Sequence, residues 1–120
     1  MQNKPGYSIF KNARYAIEGA VTAFRTETSF KLEIFFGVLI YIAIFTLPLH
    51  FNSRMLLAVT AIIIPIAEML NSAIENLVDL VTREQHPLAK NAKDMGAAAV
   101  LLAVLLHLAC WGVILYREVL

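Results

Sequence analysis

Three long apolar segments constrain this chain more than any other feature of its sequence. Residues 95–116 contain no Asp, Glu, Lys or Arg, and neither do residues 34–49 and 55–67. A helix needs roughly 20 predominantly apolar residues to cross the hydrocarbon core of a bilayer. Residues 95–116 meet that length alone, and residues 34–49 meet it when Phe30 and Leu32 are included. We therefore predict an all-α, polytopic membrane protein with three spans, at about residues 30–49, 54–81 and 92–117.

The composition agrees with this class. Hydrophobic residues make up 59% of the 120 residues and charged residues 16%, and the mean hydropathy is +0.68, whereas soluble domains carry about 25% charged residues. A chain of this length has room for one domain, which we take as residues 1–120. The net charge of +1 says little about partners, and we predict no nucleic-acid partner. The single cysteine, Cys110, excludes an intrachain disulfide.

Residues 8–26, ahead of the first span, have the pattern of an amphipathic helix. One face is apolar and the other is polar or charged, with the helical period of three to four residues. The apolar face consists of Ile9, Phe10, Ala13, Ile17, Ala20, Val21 and Phe24. We expect this helix to lie along the membrane surface or to cover the bundle.

The Lys and Arg residues predict the orientation of the spans. Of the 10 in the sequence, eight precede the first span or lie between the second and third, and two lie on the other side. Because cytoplasmic loops carry an excess of Lys and Arg, we predict that the N-terminus and the loop between the second and third spans lie in the cytoplasm, with the C-terminus on the opposite side of the membrane. The eight are Lys4, Lys11, Arg14, Arg25, Lys31, Arg83, Lys90 and Lys93; the other two are Arg54 and Arg117.

The third predicted span carries a stripe of small side chains. Ala92, Gly96, Ala99 and Ala103 recur at helical spacing, and such stripes let helices approach closely in lipid. We expect this helix to start around Asn91, a good capping residue. Further along it, His107 is a lone histidine among apolar residues, which is more typical of a hydrogen-bonded core residue than of a ligand.

A polar stripe runs along the second predicted span. In the segment EMLNSAIENLVD, residues 68–79, the residues Glu68, Asn71, Ser72, Glu75 and Asp79 share one helical face. A carboxylate within a membrane span is costly and therefore suggests a functional site. The alternative is a helix that has left the membrane and carries an ordinary solvated face, and this alternative is stronger for Asp79 than for Glu68.

The predicted topology gathers polar residues at the cytoplasmic boundary. Carboxylates there suit Mg²⁺, which uses one or two carboxylates and completes its shell with water and phosphates. Glu68, the deepest, can instead act as a base toward the hydroxyl of a lipid headgroup. The sequence has no P-loop or dinucleotide-binding glycine motif, so any nucleotide site is of another kind. The gathered residues are Glu27, Glu33, Glu68, Asn71, Glu75, Asp79, Lys93 and Asp94.

Residue chemistry alone leaves several functions open. Lipid phosphorylation is one of them. A proton- or ion-translocating subunit also uses a single intramembrane carboxylate such as Glu68, but that function leaves Asn71, Glu75, Lys93 and Asp94 unexplained. A purely structural assembly protein accounts for the small-residue stripe and for none of the charges.

Two sequence blocks narrow the choice. EMLNSAIENLVD at residues 68–79 and KDMGAAAV at residues 93–100 resemble the signature of the small prokaryotic diacylglycerol kinases, and the similarity covers nearly the whole chain. The resemblance implies a homotrimeric inner-membrane enzyme that transfers the γ-phosphoryl group of MgATP to diacylglycerol, giving phosphatidic acid. It also implies active sites that are shared between neighbouring subunits.

The resemblance assigns roles to residues of this sequence. It implies that Glu68 is the catalytic base and that Glu27 and Glu75 hold Mg²⁺ and the nucleotide phosphates. Six further residues are implied to contact ATP or to lie near it, and four further residues to line or support the lipid site. The ATP residues are Tyr15, Glu84, Gln85, His86, Lys93 and Asp94, together with Glu27 and Glu75; the lipid residues are Glu33, Asn71, Ala97 and Trp111, together with Glu68.

Three departures from the family pattern bear on the acceptor. Ala97 stands where the family often has Ser, and Leu80 stands where a charge often follows the aspartate. Residues 86–90, HPLAK, resemble the related undecaprenol kinases, which phosphorylate a polyprenol. The alternative acceptor is therefore undecaprenol, with the same kinase chemistry.

Overall fold

The fold is that of a computed structural model, which describes residues 8–120. Four helices follow one another: α1 (Ile9–Thr26), α2 (Thr28–Thr46), α3 (Phe51–Val81) and α4 (Pro87–Glu118). Residues 8–120 contain no strand, which confirms the all-α prediction. Helices α2, α3 and α4 are each long and apolar enough to cross a membrane, in agreement with three predicted spans. Lys4, which was counted for the topology, lies outside the described residues.

Two helices begin earlier than the sequence predicts. The third span was expected to start around Asn91, but α4 begins at Pro87. Proline suits a first helical turn because the backbone N–H that it lacks would have no helical partner there. His86 takes the capping role, since its Nδ1 accepts a hydrogen bond from the Leu88 backbone N–H at 3.1 Å. Helix α3 begins at Phe51 rather than near residue 54.

A single extended residue, Glu27, separates α1 from α2. Its φ and ψ are −109° and 110°, and its backbone N–H still bonds to the Ala23 carbonyl at 3.0 Å. One extended residue between two helices turns the chain sharply. Glu27 therefore lies at the corner where the predicted surface helix meets the first span.

Helix α3 is the central element of the bundle. It packs most extensively against α4, less against α2 and least against α1. Gly96 and Ala103 of the small-residue stripe are buried, whereas Ala99 is exposed on the single chain. Many large apolar side chains on the three long helices are also exposed. A surface of this kind faces lipid or another protein chain rather than water.

His107 links α4 to α3 in the middle of the bundle. It is 2% exposed. Its Nε2 accepts from Trp111 Nε1 at 2.9 Å, so its Nδ1 carries the proton and donates to Thr60 Oγ1 at 2.7 Å. Thr60 in turn donates to the Leu56 carbonyl at 2.9 Å. This chain of bonds confirms that His107 is a hydrogen-bonded core residue.

Glu118 joins the end of α4 to the start of α3. Its carboxylate accepts from the His50 backbone N–H at 2.7 Å and from the Ser53 hydroxyl. These donors lie at the N-terminus of α3, where a negative charge is favourable and unpaired N–H groups need acceptors. These hydrogen bonds join α4 to α3 at the end of the bundle opposite to the polar stripe.

Gly96 marks a close approach of α4 to α3 and gives a stability prediction. A Cβ at Gly96 would overlap the side-chain oxygen of Asn71, whereas a Cβ at Gly112 of the same helix meets nothing within 4 Å. We expect Gly96→Ala to lower the free energy of unfolding by about 1–3 kcal/mol, the usual cost of overpacking. Thermal unfolding in detergent measures this loss. Gly112→Ala is the control and should be neutral or stabilising; equal midpoints for the two variants would contradict the close approach.

Candidate active site

Glu68 is the buried centre of the candidate site. It lies on α3 and is 8% exposed. Its Oε1 accepts a hydrogen bond from Ser29 Oγ of α2 at 3.0 Å. A carboxylate in this position is enclosed by two helices and retains acceptor capacity on its second oxygen.

Glu33 lies one helical turn beyond Ser29 on α2, and its carboxyl group neighbours that of Glu68. Glu33 Oε2 is buried and has no hydrogen-bond partner within residues 8–120. Two neighbouring carboxylates repel each other, so a proton or a cation between them stabilises the pair. The two helices thus present a paired carboxyl site with an oxygen still available.

Asn71 and Glu75 continue the polar stripe by one and two turns. Asn71 is 8% exposed, and its Nδ2 donates to Glu75 Oε1 at 3.1 Å. Asn71 Oδ1 is buried without a hydrogen-bond partner in the described part of the chain and faces the backbone of Gly96. The bond from Asn71 orients the Glu75 carboxylate, which is half-buried.

Two predicted ATP-binding residues, Lys93 and Asp94, form ion pairs. Lys93 Nζ of α4 lies 2.7 Å from Asp79 Oδ1 of α3, and both side chains are partly exposed. Lys90 pairs with Asp94 one turn apart on α4, at 2.5 Å. The sequence suggested a solvated face as the alternative role for Asp79; in the structure its carboxylate bridges two helices.

A cleft of about 730 Å³ lies between the end of α3 and the start of α4. It contains five of the predicted ATP-binding residues: Glu84, Gln85, His86, Lys93 and Asp94. Arg83 and Lys90 add positive charge to its wall. The described residues that line this cleft do not include Tyr15, Glu27 or Glu75, so the chain brings together only part of the predicted nucleotide set.

The predicted metal ligands do not form a cluster within the part of the chain that the structure describes. No group of three or more His, Cys, Asp or Glu side chains in residues 8–120 is arranged to hold a metal ion. Glu27 lies at the corner between α1 and α2, whereas Glu75 lies on α3 and is bonded to Asn71. The carboxylate donors themselves are of the type that Mg²⁺ prefers.

An apolar groove of about 940 Å³ runs between α2 and α3. Glu33 lies on its wall near one end, and Phe45 and Thr46 lie near the other. The remaining wall is almost wholly apolar. The groove therefore leads from lipid-exposed surface to the Glu33–Glu68 pair, which suits an amphiphile with its polar end at the carboxyl groups.

Of the five predicted lipid-site residues, Glu33 lines the groove and the other four do not. Glu68 and Asn71 lie on α3, and the remaining two lie on α4. Ala97 is exposed on α4, and Trp111 packs beside the buried cluster of Ile44, Leu57 and Ile114. Neither residue is among those that line the groove. The indole N–H of Trp111 is already bonded to His107, so a role of Trp111 in the lipid site remains a prediction.

Ser29 is the site residue that the sequence analysis missed. Its position four residues before Glu33 puts both on one face of α2, and this spacing was the available signal. The spacing does not reveal that this face meets Glu68, because the rotation of α2 against α3 is set by packing.

Comparison with known proteins identifies the family of this sequence. The family model for prokaryotic diacylglycerol kinase matches residues 14–115. A diacylglycerol kinase of Pseudomonas aeruginosa is 40% identical over 107 residues, covering 89% of this chain and 87% of that protein. The Escherichia coli K12 diacylglycerol kinase is 36% identical over 120 residues, covering 97% of this chain and 96% of that protein. That of Haemophilus influenzae is 32% identical over 114 residues, covering 90% and 92%.

These matches extend over all four helices and include both sequence blocks that carry the candidate site. The level of identity and the near-complete coverage go beyond a shared fold. The protein therefore belongs to the prokaryotic diacylglycerol kinase family.

Proposed function

We propose that this protein is a membrane diacylglycerol kinase that transfers the γ-phosphoryl group of ATP to the free hydroxyl of diacylglycerol. One observation carries the proposal: Glu68 is buried against Glu33, which lies on the wall of an apolar groove open to the lipid-facing surface. An acyl chain in the groove would bring the headgroup hydroxyl to the carboxyl pair. Family membership supports the same substrate class.

Glu68 acts as the general base in this reaction. The hydroxyl oxygen of the lipid forms the new bond to the γ-phosphorus, while the bond between that phosphorus and the β–γ bridging oxygen breaks. ADP leaves, and the hydroxyl proton passes to the Glu68 carboxylate. Phosphoryl transfer needs little covalent help from the protein, so the main tasks of the chain are positioning and charge stabilisation.

The nucleotide occupies the cleft between α3 and α4. The cleft lies at the N-terminus of α4, where unpaired backbone N–H groups and the helix dipole favour phosphate. The ion pair between Lys93 and Asp79 would loosen so that Lys93 contacts phosphate oxygens. Arg83 and Lys90 line the same cleft. Because Lys93 and Asp79 are both partly exposed, their ion pair is weak enough to be exchanged for a phosphate contact.

Glu27 and Glu75 hold Mg²⁺ in this proposal. Mg²⁺ usually takes only one or two carboxylates and completes its octahedral shell with water and substrate phosphates. When bound, the ion neutralises charge on the transferred phosphoryl group. The hydrogen bond from Asn71 keeps the Glu75 carboxylate oriented for that task.

The enzyme works as a homotrimer in the cell inner membrane, with the N-terminus and the loop between α3 and α4 in the cytoplasm and the C-terminus in the periplasm. The exposed apolar surface of α2–α4 supports burial in lipid and against other copies. The excess of Lys and Arg on one side supports the orientation, which gives the site access to cytoplasmic ATP.

A transfer assay tests the function. Purified protein in lipid vesicles receives ATP labelled at the γ-phosphate, with diacylglycerol, undecaprenol or neither as acceptor. We expect label in phosphatidic acid and little ATP consumption without a lipid alcohol. Label in the polyprenol alone would reassign the acceptor. ATP consumption without any labelled lipid, or none at all with either alcohol, would refute the kinase and direct attention to ion movement through Glu68.

A second prediction concerns the metal. We expect Glu27→Gln and Glu75→Gln each to raise the Mg²⁺ concentration that gives half-maximal rate, because each removes one negative oxygen ligand. Titration of activity with Mg²⁺ at fixed ATP measures the change. Glu84→Gln, in the nucleotide cleft but outside the proposed metal set, is the control. An unchanged Mg²⁺ dependence in both variants would remove Glu27 and Glu75 from the metal site.

A further inference from the structure

Ser29 is the hydroxyl that contacts Glu68. It is the second residue of α2 (Thr28–Thr46), and its Oγ donates to Glu68 Oε1 at 3.0 Å across the α2–α3 interface. The bond joins residues 39 positions apart in the chain, so tertiary packing brings them together. A hydrogen bond to a charged acceptor is among the stronger polar contacts in proteins.

The usual role of a serine in a first helical turn does not account for this bond. Ser and Thr near a helix start often accept a bond from a backbone N–H of the same helix. Here the N-cap is Glu27, which makes no side-chain capping bond, and the single hydroxyl proton of Ser29 points to another helix. Since a hydroxyl has one proton to donate, the bond to Glu68 uses the whole donor capacity of Ser29.

We propose that Ser29 is a positioning residue for the base Glu68, an inference that rests on the proposed kinase function. The bond fixes Oε1 and thereby sets the plane of the carboxylate. The second oxygen, Oε2, is then presented to the lipid hydroxyl. A base held in a reactive geometry contributes to rate through orientation, because fewer arrangements have to be searched before proton transfer.

The bond also couples the base to the corner between α1 and α2. Ser29 is two residues from Glu27, so the hydroxyl that contacts the base lies at the corner between the surface helix and α2. Movement of α1 at this corner would shift the hydroxyl relative to Glu68. The position of the surface helix would therefore affect the orientation of the Glu68 carboxylate through Ser29.

Three variants test this role in the full-length protein in vesicles. Ser29→Ala removes the hydroxyl, Ser29→Thr keeps it, and Thr28→Ala removes a neighbouring hydroxyl from the same helical turn as the matched control. We expect Ser29→Ala to lower kcat roughly tenfold, the scale of a hydrogen bond to a charged group, with an unchanged KM for ATP. Ser29→Thr should restore most of kcat, and Thr28→Ala should match wild type.

A purely structural role predicts a different pattern. Loss of packing would lower the unfolding midpoint and would affect KM and kcat together, and Ser29→Thr would not restore kcat selectively. Wild-type kcat in Ser29→Ala would overturn the proposal. Should Ser29→Ala fail to fold, Ser29→Cys, of similar shape with a much weaker donor, takes its place, and wild-type kcat in that variant would overturn the proposal equally.

A double substitution separates this inference from the proposed function. If Ser29 acts through Glu68, Ser29→Ala should have no further effect on the residual rate of Glu68→Gln, because the group being positioned is already gone. A further tenfold loss there would mean that Ser29 acts independently and would overturn the proposal. Failure of Glu68→Gln itself to slow turnover would instead remove the base from the proposed mechanism.

Discussion

Glu68→Gln is expected to lower turnover by about 10²- to 10⁴-fold, the range that general acid–base help contributes. Glutamine keeps the size of the side chain and can still accept from Ser29 through its oxygen. It cannot take the proton of the lipid hydroxyl. Because the fold and the nucleotide cleft are untouched, the KM for ATP should change little. Initial rates of label transfer at saturating lipid measure the effect.

Two further variants sharpen this test. Glu68→Asp keeps the charge but withdraws it by one methylene, so we expect a rate between those of wild type and Glu68→Gln. Glu18→Gln removes an exposed carboxylate of α1, paired with Arg14, and should leave the rate unchanged. A Glu68→Gln variant that keeps more than about a tenth of wild-type turnover would reject general-base catalysis, since such help is normally worth more.

The sequence predicts the larger features of this fold well because two strong regularities govern them. Bilayer thickness sets the length of each apolar segment, and the helical period groups Glu68, Asn71 and Glu75 on one face. Both regularities act within a single helix. The buried position of Gly96 and the core role of His107 follow from similar local patterns, and the structure confirms them.

Contacts between helices are the part that the sequence does not reveal. The Ser29–Glu68 bond and the Lys93–Asp79 pair depend on how each helix rotates about its own axis. That rotation results from many apolar contacts at once, and no sequence motif indicates it. The start of α4 at Pro87 is a different case. His86 caps the helix through a ring nitrogen, whereas the sequence prediction placed the start at Asn91 because asparagine is the more usual capping residue.

The residues assigned to the proposed site are only partly brought together within one chain, which bears on assembly. Glu27 lies at a corner of the bundle and Glu75 on its central helix, and residues 8–120 hold no group of three or more His, Cys, Asp or Glu side chains arranged to hold a metal ion. Three spans offer a single protomer little surface with which to enclose both a lipid and a nucleotide. We therefore propose that each active site combines Glu68 and Glu75 of one protomer with Glu27 of a neighbour.

Mixing Glu68→Gln with Glu27→Gln, at an Mg²⁺ concentration too low to support Glu27→Gln alone, is expected to restore activity if the sites are shared in this way. Glu68→Gln and Glu27→Gln each damage every site in their own trimer, but a mixed trimer contains interfaces at which both contributors are intact. When each site joins two adjacent protomers of a closed ring, random mixing at equal amounts should recover roughly a quarter of wild-type sites. Subunits are exchanged in detergent, reconstituted and assayed for label transfer.

Two controls decide the interpretation of this experiment. Glu68→Gln mixed with Glu75→Gln should stay inactive, because both residues lie on α3 of the same protomer and every mixed site then lacks one of them. Mixing without subunit exchange should also stay inactive. Recovery in the mixture of Glu68→Gln with Glu27→Gln, but not in the mixture of Glu68→Gln with Glu75→Gln, would place Glu27 across an interface from Glu68. Activity that remains at the level of the separate variants, despite demonstrated exchange, would mean that each protomer holds a complete site, because every site would then still carry one of the two substitutions.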